Sequence, residues 1–292
     1  MEGLDSFRRR LESHFPRLTK SEQKIASYLL TDLDQAAFLT ASELANHLDV
    51  SEATVVRFAK SIGYDSFPKL RRSIQEMYRV KATPATRLQR KLADLQDKEE
   101  HVLSQIIDME LQYLSEVLHS VKTTDFDRAV KIVANAQRIF VFGQGASRFL
   151  ADLVEFRLRR FGMNAHSVTE SGRDIVEKLL LLQRGDVVIA NVFHRITGEG
   201  VAMLERARAV GCQVVLLTDI LEPGFKDKAD VILTARRGPV STFHSLTVPM
   251  AILNAMILAI AMTKTDETLS SLKQLDELRA AFGLDIVGKL KS

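Results

Sequence analysis

Apolar positions along the first eighty residues recur at helical spacing. Ile25, Ala26, Leu29 and Leu30 follow Leu18-Thr19-Lys20-Ser21-Glu22, where a hydroxyl and a carboxylate three residues apart form a capping box. A second box, Thr40-Ala41-Ser42-Glu43, opens a short helix whose apolar face is Leu44, Ala45 and Leu48. Asp49-Val50 predicts a tight turn. Ser51 then caps another helix, with Val55, Phe58 and Ala59 on one face and Glu52, Ala53, Thr54, Arg57 and Lys60 mostly off it. Gly63 to Pro68 breaks the pattern, and Lys69 to Val80 resumes it. Residues 98–121 predict a long amphipathic helix with Val102, Ile106, Met109, Leu114, Val117 and Leu118 on its apolar side.

The period then changes. Arg138 to Gly143 is a short apolar run ending in glycine, the pattern of a buried parallel strand. Further strands are expected near Asn164–Val168, Asp186–Val192, Gln213–Thr218 and Asp230–Leu233. Helices are expected between them, and a long one over Ser241–Met262. Strand alternating with helix predicts a doubly wound parallel α/β sheet. The expected architecture is therefore multidomain: an all-α helix-turn-helix domain over 1–80, a linker over 81–97, and an α/β domain over 98–292. A last helix, near Asp266 to Phe282, lines up Leu269, Leu272, Leu275, Leu278 and Phe282 for packing on its own domain or on a partner subunit.

Charge sharpens the first half. The net charge of +3 over 292 residues is mild. From Arg57 to Lys91, however, ten basic residues stand against two acidic ones, enough to neutralise several phosphates. Small, hydroxyl and basic residues at the front of an exposed helix suit a DNA major groove. The DNA-contact candidates are Thr40, Ser51, Glu52, Thr54, Arg57, Lys60, Lys69 and Arg71, with double-stranded operator DNA as the partner. The one cysteine, Cys212, excludes an intrachain disulfide and a cysteine-rich metal site. No signal peptide opens the chain, and the longest apolar stretch is short for a membrane span. The expectation is a cytoplasmic protein with no membrane partner, no cofactor and no metal.

Three segments close strands with ligand-binding chemistry, and open α/β sheets bind ligands at the carboxyl ends of their strands. Gly143-Gln144-Gly145-Ala146-Ser147 offers glycines and a hydroxyl at a helix start, though a lone Gly-x-Gly also suits a plain turn. Val192-Phe193-His194-Arg195-Ile196-Thr197-Gly198-Glu199 adds His194, Arg195 and a capping Thr197. Pro239 to His244 supplies Ser241 and His244. The effector candidates are Gly145, Ser147, His194, Arg195, Thr197, Ser241 and His244, for one anionic small molecule.

With both halves in view, the chain resembles the RpiR family of bacterial transcriptional regulators, which join a helix-turn-helix to a SIS (sugar isomerase) domain. Leu18 to Ala26, Glu43-Leu44-Ala45 and Val50 to Phe58 carry the resemblance in the first half. Gly143 to Ser147, Gly185 to Ile189, Gly211 and Thr218-Asp219 carry it in the second. The family's phosphosugar loop reads Ser-x-Ser-Gly-x-Thr-x-Glu. Here Thr197 and Glu199 match, but Val192 and His194 replace the serines and Arg195 the glycine. Arg195 either grips a phosphate or carboxylate directly or fills the pocket. The resemblance implies a metabolite-controlled regulator, not an enzyme, acting as a homodimer or homotetramer. Two alternatives remain: a sugar-phosphate isomerase using Glu199, His194 or His244 as base, and an effector-free oligomeric DNA-binding protein.

Overall fold

The computed structural model describes residues 4–31, 33–37, 39–81, 83–96, 101–220, 225, 227–237 and 244–284. The chain divides into two compact units: residues 1–107 with 237–245, and residues 108–236 with 246–292.

The first unit is helical. Its elements are α1 (Leu4–His14), a 3₁₀ turn (Phe15–Arg17), α2 (Lys20–Thr31), α3 (Leu33–Ala36), α4 (Ala41–His47), α5 (Glu52–Ser61), α6 (Phe67–Lys81) and α7 (Pro84–Gln96). Phe7, Leu11, Ile25, Leu44, Val55 and Phe58 are fully buried together, so the apolar stripes read from the sequence converge on one core. Between α4 and α5 the backbone turns through Asp49 at φ 49°, a left-handed conformation that aspartate tolerates better than most side chains. The Val50 N–H closes the turn on the Ala45 carbonyl at 2.9 Å. The stretch expected as a linker, 81–97, contains the whole of α7.

The second unit begins within α8 (Val102–Ser120) and continues through α9 (Thr123–Ala134), β1 (Ile139–Gly143) and a 3₁₀ turn (Gly145–Ser147) into α10 (Arg148–Arg160). Then come β2 (Ala165–Val168), α11 (Asp174–Leu180), β3 (Val187–Val192), α12 (Gly198–Val210), β4 (Gln213–Thr218), β5 (Val231–Thr234), α13 (Thr247–Thr263) and α14 (Thr265–Ala281). The five strands form one parallel sheet in the order β2-β1-β3-β4-β5. Side chains alternate between its faces. Ile139, Val141, Ile189 and Val215 pack with α9, α10 and α13, whereas Phe140, Phe142, Val188 and Leu216 pack with α11 and α12. Burial on both faces is why these strands read as unbroken apolar runs.

The order reverses at β1, whose chain leaves toward β2 on one side and returns to β3 on the other. The β1/β3 crevice is therefore the switch point where this fold places ligands. Gly143, at the end of β1, lies under the following turn. A Cβ there would come within 2.3 Å of the Ser147 carbonyl oxygen, so only glycine lets the chain fold back so closely. The opposite end of the sheet is closed by a partly buried ion pair. Arg138 donates to both Asp186 oxygens at 2.8 and 2.6 Å, and the bond to Asp186 raises the guanidinium's pKa. Cys212 is buried beside it. Burial pushes its thiol up to about 11, with Asp186 adding to the effect, so it is a neutral packing group.

Two expectations need correction. The helix expected from Ser241 starts at Thr247; residues 241–243 lie outside the described residues and His244 precedes the helix. Pro249 explains the late start. It sits in the first turn, where backbone N–H groups lack helical partners anyway, and an earlier start would leave it interrupting the helix. On α8, Ile106, Met109, Leu114 and Val117 are half-buried as expected, but Val102 and Leu118 are exposed. A neighbouring stripe, Leu103, Ile107, Leu111 and Leu118, is 50–81% exposed. Among the described residues, no single helix is long and apolar enough to cross a membrane.

Candidate DNA-reading helix and strand-end loops

The helix-turn-helix is held by caps. The Thr40 hydroxyl accepts from the Glu43 N–H at 3.2 Å, and the Glu43 carboxylate accepts from the Thr40 N–H at 2.6 Å. Ser51 accepts from the Thr54 N–H at 3.1 Å, and the two hydroxyls lie 2.8 Å apart. The Arg57 guanidinium donates to the Thr54 hydroxyl at 3.3 Å. Thr54 is buried, so its hydroxyl serves as an internal post for Ser51 and Arg57. Ser51, Glu52, Arg57 and Lys60 are exposed. Lys69 is also exposed but ion-paired with Asp65, which lowers that carboxyl's pKa. Arg71 is half-buried and donates to the Leu39 carbonyl at 3.4 Å, next to the Thr40 cap.

Glu22 is a structural residue whose full role the sequence did not disclose. Its capping box with Thr19 is local, with bonds at 3.0 and 3.4 Å. Its other oxygen accepts from Ser61 at 2.8 Å, tying the start of α2 to the last turn of α5. Burial pushes its pKa up, but the Thr19 N–H, the Ser61 and Thr19 hydroxyls and the Arg57 charge outweigh that, and the net shift is downward. The carboxylate is thus charged, buried and fully engaged.

In the second unit, loops distant in sequence meet at the carboxyl end of the sheet. The Thr197 hydroxyl caps α12 by accepting from the Gly200 N–H at 3.1 Å, and donates to Gln144 Oε1 at 2.7 Å. Gln144 in turn donates to the Glu170 carbonyl at 3.1 Å. This clasp spans the β1/β3 switch point. Glu199 accepts from the Gly172 N–H at 3.3 Å. Its pKa is lowered by its own backbone N–H first and by Gly172 next. The His194 N–H donates to Asp219 Oδ1 at 2.6 Å, linking the ends of β3 and β4.

His194 has φ 66°, and the Arg195 N–H reaches back to the Phe193 carbonyl at 2.7 Å. This is a three-residue γ-turn with a non-glycine residue at its strained centre. It leaves the Arg195 side chain exposed, with no hydrogen bond or ion pair to its guanidinium among the described residues. Gly145 has φ 55° with open space where a Cβ would project. Ser147 is buried and heads α10, but its side chain makes no cap bond.

The structure thus brings Gly145, Ser147, His194, Arg195 and Thr197 to one end of one sheet. His244 is grouped with the first unit, and Ser241 lies outside the described residues. Sequence reasoning missed Gln144 and Asp219 as partners of this loop. Each is a polar residue directly following a strand, a signal that marks the position but not the partner.

Two family models match the chain: the rpiR-family helix-turn-helix domain over residues 6–81 and the SIS domain over 132–259. The chain belongs to the RpiR family. An HTH-type transcriptional regulator of Haemophilus influenzae is 27% identical over 226 residues, 77% of each chain. YfhH of Escherichia coli, also named an HTH-type regulator, is 26% identical over 233 residues, 78% of this chain and 79% of its own. The sugar isomerase domain of an RpiR transcription factor from Sphaerobacter thermophilus superposes with a TM-score of 0.57 at 24% identity, covering 61% of this chain and 99% of that one. The Vibrio vulnificus NanR protein, solved with ManNAc-6P, superposes at 0.59 and 21% identity over 94% of this chain and 98% of its own. At these identities the two structures establish a shared fold. This RpiR-family chain is a helix-turn-helix transcriptional regulator with a SIS domain.

Proposed function

We propose that this regulator reads its operator through α5 and changes its DNA affinity when an anionic metabolite, a sugar phosphate or sugar acid, binds the strand-end loops. The observation that carries the effector reading is Arg195. An exposed guanidinium stands on a strained turn at the switch point, where the family loop has a glycine. NanR, solved with a phosphosugar, supports the same ligand class for this chain. A ligand that favours one arrangement of the protein shifts the population toward it, and DNA affinity follows by linkage. The exposed stripes on α8 and α14 support a homodimer or homotetramer, which would place two α5 helices on a two-fold operator.

The isomerase alternative has less support. Glu199, a candidate base, has a lowered pKa and is held by Gly172. The test is a thermal-shift panel of sugar phosphates, ManNAc-6P included, and sugar acids. Each ligand that stabilises the protein is then tested against operator affinity. One class should raise the Tm of the wild type, leave Arg195→Ala unmoved and change DNA affinity. No shift with any anion would leave the effector-free reading standing, and turnover of a sugar phosphate would establish the enzyme.

A further inference from the structure

Helix α5 turns Thr54, Val55, Phe58 and Ala59 inward and Glu52, Ala53, Val56, Arg57 and Lys60 outward. At about 100° per residue, Val56 falls between Glu52 and Lys60, with Ala53 beside it, within the outward arc. It is 37% exposed. Valine is a poor choice for such a position unless it has a partner, because its β-branch costs helix propensity and Val56 is not part of the buried core of its unit. The basic side chains around it, Arg57 and Lys60, complement a phosphate backbone. The apolar feature on base edges in the major groove is the thymine C5-methyl.

We propose that Val56, supported by Ala53, packs on a thymine methyl in each operator half-site and sets the preference for thymine at that position. This rests on the reading of α5 as the DNA-reading helix. The contact needs no polar partner, unlike the hydrogen bonds available to Glu52 and Arg57. It discriminates thymine from deoxyuridine, which pairs identically and lacks only the methyl.

The test uses the full chain and a duplex selected by the wild-type protein from a randomised pool. Each thymine of that duplex is replaced in turn by deoxyuridine, and affinities are measured for wild type, Val56→Ala and Val56→Thr. One symmetry-related thymine pair should lose affinity about fourfold per methyl with the wild type, the factor for burying one such group. The same replacement should be silent with Val56→Ala, and Val56→Thr should fall between the two. Alanine is the better helix former, and an unchanged Tm of Val56→Ala separates the lost contact from a lost fold. Additive effects of Val56→Ala and deoxyuridine at every thymine would overturn the proposal while leaving α5 as the reader. A pool that yields no duplex bound above the random level would overturn both.

Discussion

The caps at Ser51 and Thr197 use the same chemistry to different ends. At Ser51 the bonds stay local: Ser51 to Thr54, Thr54 to Arg57, Thr40 to Glu43, each pair three residues apart. The result is a self-contained helix that keeps its face free for a partner. At Thr197 the hydroxyl reaches 53 residues back to Gln144, and its neighbours bond across 25 to 27 residues. There the cap is a knot between loops, and on the proposed reading an effector would engage or loosen it. A reading surface can be built from one helix, whereas a sensing surface that reports to the rest of the fold must couple several elements.

The strongest challenge to the coupled side is Gly143→Ala. The added Cβ meets backbone at Ser147, which cannot swing aside as a side chain would. The second unit should lose about 3 kcal/mol in denaturant unfolding, with any anion response abolished. The first unit's core is separate, so operator-independent helicity of residues 4–81 should persist. A full-strength variant with an unchanged anion response would mean the β1 turn is not what positions the loops.

Arg57→Ala addresses the local side. Its guanidinium makes one hydroxyl bond at the helix surface and its charge is the smallest of the influences on Glu22, so the fold should be little affected. Operator affinity should fall about tenfold to a hundredfold by anisotropy titration. Unchanged affinity and salt slope would remove Arg57 from the interface.

This contrast also explains what could be read in advance. The caps, the apolar faces of α4 and α5 and the five strands all follow from periods and neighbours within a few residues, and each was legible. The α13 start was misplaced because the serine and histidine before it imitate a helix entry, while Pro249 sets the actual register. The clasp was not legible, because nothing near Gln144 or Asp219 in the sequence names Thr197 or His194 as partner. Arg195 was singled out by its departure from the family loop. Its exposure came only from the γ-turn around His194.

Glu22 sharpens the comparison, because like Arg71 on Leu39 and Gln75 on Ala37 it makes a long-range tie inside the helical unit, and of the three it is the one whose charge titrates in the acid range. Its pKa is lower folded than the ordinary 4.5, so the stability it supplies is present above that value and is lost as pH falls through the folded pKa. Glu22→Gln keeps the shape and removes the charge. It should cost about 1–2 kcal/mol at neutral pH and flatten the acid limb of a Tm-against-pH curve. An unaltered acid limb would show that the Ser61 tie carries no charge-dependent energy.

The smallest effect is expected at Lys69, where exposure makes the pair with Asp65 nearly neutral for stability. Lys69→Ala should leave the unfolding midpoint essentially unchanged. If Lys69 also meets a phosphate, its contribution is diminished because Asp65 already serves as its counterion and that pair must open first. The slope of log affinity against log salt should then drop by less than the full unit expected for an unpaired phosphate-contacting lysine. Asp65→Asn separates the two roles. Freed of its counterion, Lys69 should bind DNA more tightly at low salt and regain the full unit of slope. If neither variant moves the slope, Lys69 lies off the DNA, and any contact from α6 falls to Arg71 beside the cap at Thr40.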